Sequence, residues 1–329
     1  MFQVVTALNF TRPDKETLAE IKLRGYNPET FLTGQFARML SEGTIKALSV
    51  SDIADCLCPS RRDLYYKKGK NKPRIRRRRT WGGVAGHIVE DFTLTTYQEL
   101  RDRNQTLSYE RIREEIEGIS NSFKVANSKM LKNLDMLKSR ESESSEWLIN
   151  LLIQAGKMEL GFKTLHDVLS GKKENEIIAI KDVETTSCQL KPKPIQIGIS
   201  KPVQPDFLIE KFNAVGDIKS GIRGFKDYYL LTCAGYALAF ENDRGKGNDV
   251  NFGIISFFPT RCSDYATPIS FPQTYIFIID DNVRDYFLRS RDEAYSIICA
   301  DIQPSFPPDK NHCPYCQFLD PCKSEGLKI

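Results

Sequence analysis

The chain has 329 residues, of which 40% are hydrophobic and 27% are charged, and its formal net charge is +4 at pH 7. This composition is ordinary for a soluble globular protein, and the mild positive charge suits an acidic partner without requiring one. No run of about 18 apolar residues occurs, and no basic segment precedes the short apolar stretch at the N-terminus. We therefore expect neither a membrane span nor a signal peptide, and a cytoplasmic location.

The first predicted elements are short helices over Ala19–Leu23 and Phe31–Leu40. Ser51 can then cap a helix that ends near Cys56 and Cys58. The chain holds nine cysteines in all, and inside a cell these are more often ligands or buried thiols than disulfides.

A basic run follows in the segment KPRIRRRRT, where five guanidinium groups repel one another. A solvated loop is the ordinary interpretation of such a run, and contact with nucleic-acid phosphates is the sharper one. Tyr65 and Tyr66, just upstream, suit either packing or stacking on bases. The residues predicted to contact DNA are Arg74, Arg76, Arg77, Arg78 and Arg79.

A helix is predicted from about Gly83, with His87, Glu90 and Asp91 on one flank at spacings of three and four residues. A lone helical histidine is usually structural, and a catalytic role is the alternative. Residues 101–175 are polar and carry apolar side chains at helical spacing, which predicts a helical insertion.

The period changes after Glu176, where strand-like segments begin. Val203–Glu210 and Phe212–Ile218 predict a tight hairpin, because polar residues suitable for a bend lie between them. Such a hairpin brings Asp206 near Asp217, and it puts Lys219 on the same face as Asp217. Two carboxylates beside an ammonium favour a divalent ion with oxygen ligands, Mg²⁺ or Mn²⁺, and an ordinary charged surface hairpin is the alternative.

Beyond the hairpin, the sequence predicts a helix over residues 226–243, two strands over 251–259 and 274–280, and a closing helix over 282–300. The mixture predicts an α/β fold with a mixed sheet. We divide the chain into an N-terminal region (1–100), the helical insertion (101–175), a core (176–300) and a cysteine-bearing tail (301–329).

The tail is rich in proline and lacks apolar periodicity, so it has little core of its own. Cys313, Cys316 and Cys322 fall within ten residues and predict a metal centre that pins the tail down. A fourth ligand is needed, and Cys56 or Cys58 suits it better than His312 because either would tie the front of the chain to its end. Zinc and an iron–sulfur cluster share this ligand chemistry, and the unpaired CxxC favours iron–sulfur.

Taken in order, the upstream cysteine, the histidine helix, the Pro205-Asp206 and Asp217-Ile218-Lys219 motifs and the terminal cysteines resemble the iron–sulfur RecB-type nucleases. The closest resemblance is to the CRISPR-associated exonuclease family of spacer acquisition, in particular its larger archaeal-type members. It covers about residues 49–100 and 176–329. It implies a PD-(D/E)xK restriction-endonuclease-like core, with a [4Fe-4S] cluster joining the N- and C-terminal parts.

The resemblance also implies roles for individual residues. His87, Asp206, Asp217 and the Ile218 carbonyl would bind the divalent ion, and Lys219 would be the catalytic lysine. Tyr236 matches the tyrosine of the family's Gln-x3-Tyr element. The cluster ligands would be Cys58, with Cys56 as the alternative, and Cys313, Cys316 and Cys322.

The sequence departs from the family pattern at Thr232, which stands where the family has glutamine, and at Asp217, where the family often has glutamate. We expect a metal-dependent DNA exonuclease, with endonuclease activity left open, that trims DNA ends, often single-stranded, before a CRISPR integrase complex inserts them. A nuclease of a phage or recombination system and a catalytically weak DNA-binding module are the alternatives.

Overall fold

The computed structural model describes residues 34–55, 58–69, 81–102, 109–137, 144–154, 157, 184–185, 190–191, 197–200, 202–209, 213–220, 226–245, 249–258, 273–300 and 302–329. The helix predicted over Ala19–Leu23, the basic run over 74–79 and Cys56 lie outside these residues.

Among the described residues, helices come first and alternate with strands in the second half of the chain. They are α1 (Gly34–Ser41), α2 (Val50–Ala54), α3 (Arg62–Lys68), α4 (Trp81–Asp102), α5 (Tyr109–Ala126), α6 (Ser128–Met136), α7 (Asp227–Arg244), α8 (Asp281–Cys299) and α9 (Leu319–Ser324). Residues 145–154 are also helical, and a 3-10 turn spans Cys313–Tyr315. No helix formed by the described residues is both long and apolar enough to cross a membrane.

Five strands of the described chain form one mixed sheet in the order β1-β2-β3-β4-β5. They are β1 (Glu184–Thr185), β2 (Phe207–Ile209), β3 (Ala214–Ser220), β4 (Phe252–Phe258) and β5 (Gln273–Ile278). Only the β3–β4 pair is parallel, because α7 crosses over between these strands, and the remaining neighbours are antiparallel. The predicted α/β fold with a mixed sheet is confirmed.

Helices cover both faces of this sheet. Alternate side chains of β2 and β3, such as Phe207 and Ile218, pack with α4 and the helices of the predicted insertion in one core. The intervening side chains, such as Leu208 and Val215, pack with α2, α7 and α8 in a second core. Strand side chains alternate between faces, so the hairpin that carries the acidic pair lies between the two helical layers.

Local sequence signals set several boundaries. Asp280 caps α8, its side chain accepting from the Val283 amide at 2.9 Å. The turn between β2 and β3 places Asn213 at a φ of 49°. Asparagine tolerates this left-handed region better than most residues. The predicted helices over 226–243 and 282–300 and the strand over 251–259 agree with α7, α8 and β4 to within two residues.

Two predicted elements differ from the structure. The cap of α2 is Ser49 rather than Ser51, because Ser49 and Asp52 form a reciprocal capping box. The first hairpin strand is β2 alone and does not begin at Val203, which instead forms an isolated bridge with Leu190. Pro205 lies between the two and has no amide hydrogen to donate to a strand ladder.

Candidate functional site

The β2–β3 hairpin brings the two predicted aspartates together. Asp206 lies directly before β2, and its Oδ2 accepts from the Ile218 amide of β3 at 2.5 Å. Its own amide donates to the Gly216 carbonyl at 3.1 Å. Asp206 and Asp217 are 8% and 3% exposed, so both carboxyl groups are nearly removed from water.

Lys219 is on the same face of β3 as Asp217, as the alternation predicts. Its ammonium forms an ion pair with Asp217 Oδ2, and 33% of its side chain is exposed. Burial alone would lower the pKa of Lys219, but the carboxylates of Asp217 and Asp206 raise it above its ordinary value. Lys219 is therefore an ammonium at neutral pH and forms the open side of the site.

Helix α7 supplies Tyr236, whose hydroxyl donates to Asp217 Oδ1 at 3.5 Å. Burial, with the Asp217 charge next in size, raises the pKa of Tyr236 well above its ordinary value, so the phenol stays protonated. One turn earlier, the Thr232 hydroxyl donates to the Tyr228 carbonyl at 3.1 Å and is buried. Thr232 therefore contributes to its own helix rather than to the site.

Helix α4 brings a third carboxyl group to the pair. The Glu90 carboxyl group lies close to that of Asp206 and within electrostatic reach of Asp217. His87 stands one turn earlier, with its Nδ1 atom 3.8 Å from Glu90 Oε2 and 74% of its side chain exposed. The structure thus brings Asp206, Asp217 and Glu90 together, and it places His87 at the rim beside Glu90.

Bringing these three carboxyl groups together is electrostatically costly, because two of them are buried. Burial and the nearby charges of Asp217 and Glu90 raise the pKa of Asp206 well above its usual range. Burial also raises the pKa of Glu90. Asp217 Oδ2 contacts the Lys219 ammonium but accepts no hydrogen bond of proper geometry from the described residues. The oxygen-rich chemistry of this acidic cluster fits a hard divalent cation, which prefers oxygen ligands.

The predicted cysteines meet at a second place. Cys58, Cys313, Cys316 and Cys322 line one small cavity together with His312. These four and the other described cysteines, Cys233 and Cys299, are all free of disulfide bonds. An all-thiol donor set fits zinc or an iron–sulfur cluster.

A family model described as CRISPR-associated exonuclease Csa1 matches residues 40–325. The chain belongs to the Csa1 family. Its predicted membership in a CRISPR-associated exonuclease family is therefore confirmed, and the family is one of nucleases. The match also includes residues 101–175, which the resemblance found in the sequence left out. No curated protein matches the chain.

The segment that follows α2 in this Csa1-family chain runs from the acidic site to the cysteine site. Asp55, the residue after α2, lies within electrostatic reach of Lys219 and Asp217. Cys58 follows three residues later and already faces the cysteine cavity. Across the described residues, no three His, Cys, Asp or Glu side chains stand in ligating geometry as they are. A metal ion at either place would therefore require side chains to rotate toward it.

Sequence reasoning about this Csa1-family chain overlooked Glu90 as a member of the acidic site, although it placed Glu90 on the same helical flank as His87. The signal was present in the spacing, since an acidic residue three positions after a histidine shares its face. Only the packing of α4 against the sheet shows which of the two side chains reaches Asp206.

Proposed function

We propose that the chain is a divalent-metal-dependent DNA exonuclease that trims DNA ends for CRISPR spacer acquisition. The observation that carries the proposal is the convergence of Asp206, Asp217 and Glu90 beside Lys219 in a chain of an exonuclease family. Two buried carboxyl groups, a third that is 33% exposed and one ammonium form an acidic site whose negative charge a divalent ion would neutralise.

Mn²⁺ or Mg²⁺ would be held by Asp206, Asp217 and Glu90, with His87 and the Ile218 carbonyl as the further ligands that the family resemblance implies. When bound, such an ion polarises a phosphate and lowers the pKa of a water molecule. The Ile218 amide orients Asp206, and the Tyr236 hydroxyl orients Asp217.

Lys219 would stabilise the negative charge that develops on the phosphate during hydrolysis. Its raised pKa keeps it protonated, and its partial exposure lets it reach a substrate from Asp217. A positive charge placed where negative charge develops in the transition state is among the largest contributions to catalysis. In this arrangement, Lys219 acts as an electrostatic stabiliser rather than as the base.

The cysteine site would hold a [4Fe-4S] cluster on Cys58, Cys313, Cys316 and Cys322, with Cys56 as the alternative upstream ligand. Hydrolysis needs no electron transfer, so the cluster would be structural. Counting iron, sulfide and zinc in anaerobically purified protein tests this assignment. About four irons per chain with visible charge-transfer absorption support the cluster, and a colourless protein that holds only zinc contradicts it.

The DNA partner would be gripped through its backbone, without sequence readout, by Arg74, Arg76, Arg77, Arg78 and Arg79. Single-stranded ends are the proposed substrate and a CRISPR integrase complex the proposed recipient. A nuclease of a phage or recombination system is less well supported, since the matching family is CRISPR-associated.

The decisive experiment compares wild type, Lys219→Ala and Asp217→Asn on end-labelled linear DNA and on closed circular DNA, with Mn²⁺ or with EDTA. We expect the wild type to degrade linear DNA only with the metal, and Lys219→Ala to be slower by about a hundredfold or more. The matched control is Lys129→Ala, which removes an exposed lysine of α6 and should leave the rate unchanged. Equal activity in all variants, or activity in EDTA, would contradict the proposal.

A DNA-binding module of low activity is the second candidate, and Thr232 favours it. The family pattern has glutamine at this position, whereas the Thr232 hydroxyl is occupied by the Tyr228 carbonyl. Tight DNA binding without cleavage of any linear substrate would favour this candidate. In that case Thr232→Gln should restore cleavage if the missing amide is the cause.

A further inference from the structure

We propose that Arg62 is a positioning residue that docks the C-terminal cysteines on α3 before any cluster is present, so that the cysteine site is preassembled. The inference concerns the cysteine site of the proposed function, but it depends neither on cleavage nor on the identity of the bound metal. It also changes the role expected from the sequence, in which the metal itself pins down the tail.

The Arg62 guanidinium holds distant segments of the chain together. Its Nη1 donates to the Pro304 carbonyl, and its Nη2 forms an ion pair with Glu325. Its Nε lies 3.3 Å from the Tyr66 hydroxyl, and its central carbon lies 4.3 Å from the centre of the Phe306 ring. Only 7% of the Arg62 side chain is exposed. A guanidinium has five donors in a planar fork, which suits it to several acceptors at once.

Other contacts of the tail on α3 also need no metal. Tyr66 stacks on Phe318 with ring centres 5.5 Å apart and an angle of 21° between the planes. The Tyr66 hydroxyl donates to Glu325, and the Gln303 amide donates to the same carboxylate at 2.9 Å. Together with Leu327, these rings form a small apolar core of their own. The tail is therefore held against α3 by contacts that do not depend on a bound metal. Attachment of the tail through its thiols alone would not provide these contacts.

The residues that hold the tail against α3 include one of the predicted cysteine ligands. Cys322 belongs to the same apolar core and is 8% exposed. Its carbonyl accepts from the Leu327 amide at 2.9 Å, and its backbone amide donates to the Phe318 carbonyl at 3.1 Å. Arg62 binds Glu325, three residues after Cys322, and it lines the same cavity as Cys322, Cys313 and Cys316. Docking by Arg62 therefore holds the segment that carries Cys322.

The test measures how fast individual cysteines of the metal-free full chain react with N-ethylmaleimide, followed by mass spectrometry. In the wild type we expect Cys322 to react slowly, as a docked side chain does. In Arg62→Met we expect it to react about tenfold faster or more, because the ion pair and the carbonyl contact are lost. Cys233 is 0% exposed in the second core, so its reaction reports global unfolding.

Two further variants separate docking from general destabilisation. The matched control is Arg289→Met, which removes an exposed arginine of α8 that is paired with Asp285 and should leave Cys322 protected. Glu325→Gln alters only the tail side of the ion pair, and we expect an intermediate increase in the reactivity of Cys322. If Cys322 reacts as fast in the metal-free wild type as in urea-unfolded protein, or equally in wild type and Arg62→Met, the inference is wrong.

A second readout concerns the bound group. After anaerobic reconstitution, Arg62→Met should release iron to a chelator several-fold faster than wild type and Arg289→Met. The two proposals can fail separately. A colourless, zinc-containing wild type with a protected Cys322 would overturn the iron–sulfur assignment and leave the docking role intact. A stable iron–sulfur cluster together with a fast-reacting Cys322 in the metal-free chain would support the iron–sulfur assignment and overturn the docking role.

Discussion

Replacing Gly216 by alanine is the sharpest test of how the acidic hairpin is packed. Gly216 lies opposite Phe207 in the β2–β3 ladder, and the Phe207 ring lies across it. A Cβ atom added at Gly216 would fall 1.9 Å from Phe207 Cζ and 2.0 Å from Cε2. Non-bonded carbons normally stand about 3.5–4.0 Å apart, so the ring must move by about 1.5 Å or more.

The ring has little room to move. Phe207 is 1% exposed and belongs to the core between the sheet and α4. Overpacking a core in this way costs about 1–3 kcal/mol, and the stiffer unfolded chain of an alanine offsets about 0.4–1 kcal/mol. We therefore expect Gly216→Ala to lower the free energy of unfolding by about 1–2 kcal/mol.

Urea unfolding followed by circular dichroism measures this loss. The control is Gly82→Ala on α4, where an added Cβ meets nothing within 4 Å, and we expect no loss of stability there. In the double variant Gly216→Ala with Phe207→Leu, the smaller leucine leaves room for the added Cβ. The loss in free energy of unfolding should therefore be about 1 kcal/mol smaller than the sum of the losses in the two single variants.

The same substitution should slow cleavage in the assay proposed above. The Asp206 amide donates to the Gly216 carbonyl, so a shift of β3 against β2 also displaces Asp206. Cleavage by Gly82→Ala should match the wild type. If Gly216→Ala unfolds at the same urea concentration as wild type, the ring does not pack tightly on β3 and the reasoning is refuted.

Two further predictions concern buried charges away from the proposed chemistry. Burial alone would raise the pKa of Asp52, but hydrogen bonds led by that of Lys67 lower it to about 2. A lowered pKa stabilises the folded chain above about pH 4, and this contribution is lost as the pH falls toward 2. Asp52→Asn should therefore lower the free energy of unfolding by about 1–2 kcal/mol at pH 7. Urea unfolding should show the difference between wild type and variant shrinking below pH 4. A difference that stays constant with pH would contradict this. Glu241 pairs with Arg284, whose side chain is 1% exposed. Glu241→Ala leaves this buried guanidinium without its carboxylate, so it should lower the free energy of unfolding by about 3–5 kcal/mol. A loss below about 1 kcal/mol in the same assay would mean that the remaining carbonyl acceptors are enough to stabilise Arg284.

Elements with strong local signals were predictable from the sequence. The buried helix α7, the strand β4 and the helix α8 each have a continuous pattern and a clear start, such as the Asp280 cap. The β2–β3 hairpin was predictable because its polar bend separates two apolar runs. The alternation of side chains along β3 then put Asp217 and Lys219 on one face without any knowledge of the fold.

Boundaries that depend on competing local partners were less predictable. Ser49 and Ser51 are both plausible caps, and the reciprocal bond with Asp52 decides for Ser49. A strand beginning at Val203 fits the alternation of apolar residues, but Val203 pairs with Leu190 instead and β2 begins only after Pro205, at Phe207. The choice between such partners is made by hydrogen bonds that the sequence pattern does not rank.

The sequence by itself determined the chemistry of this protein: an acidic pair with a lysine at strand spacing, and a terminal set of cysteines. Tertiary structure alone decided which distant groups complete each set. Glu90 joins Asp206 only because α4 packs across the sheet, and Arg62 reaches Glu325 only because α3 lies against the tail. The physical reason is that residue type and local spacing fix what a side chain can do, whereas the packing of whole helices against the sheet fixes what it meets.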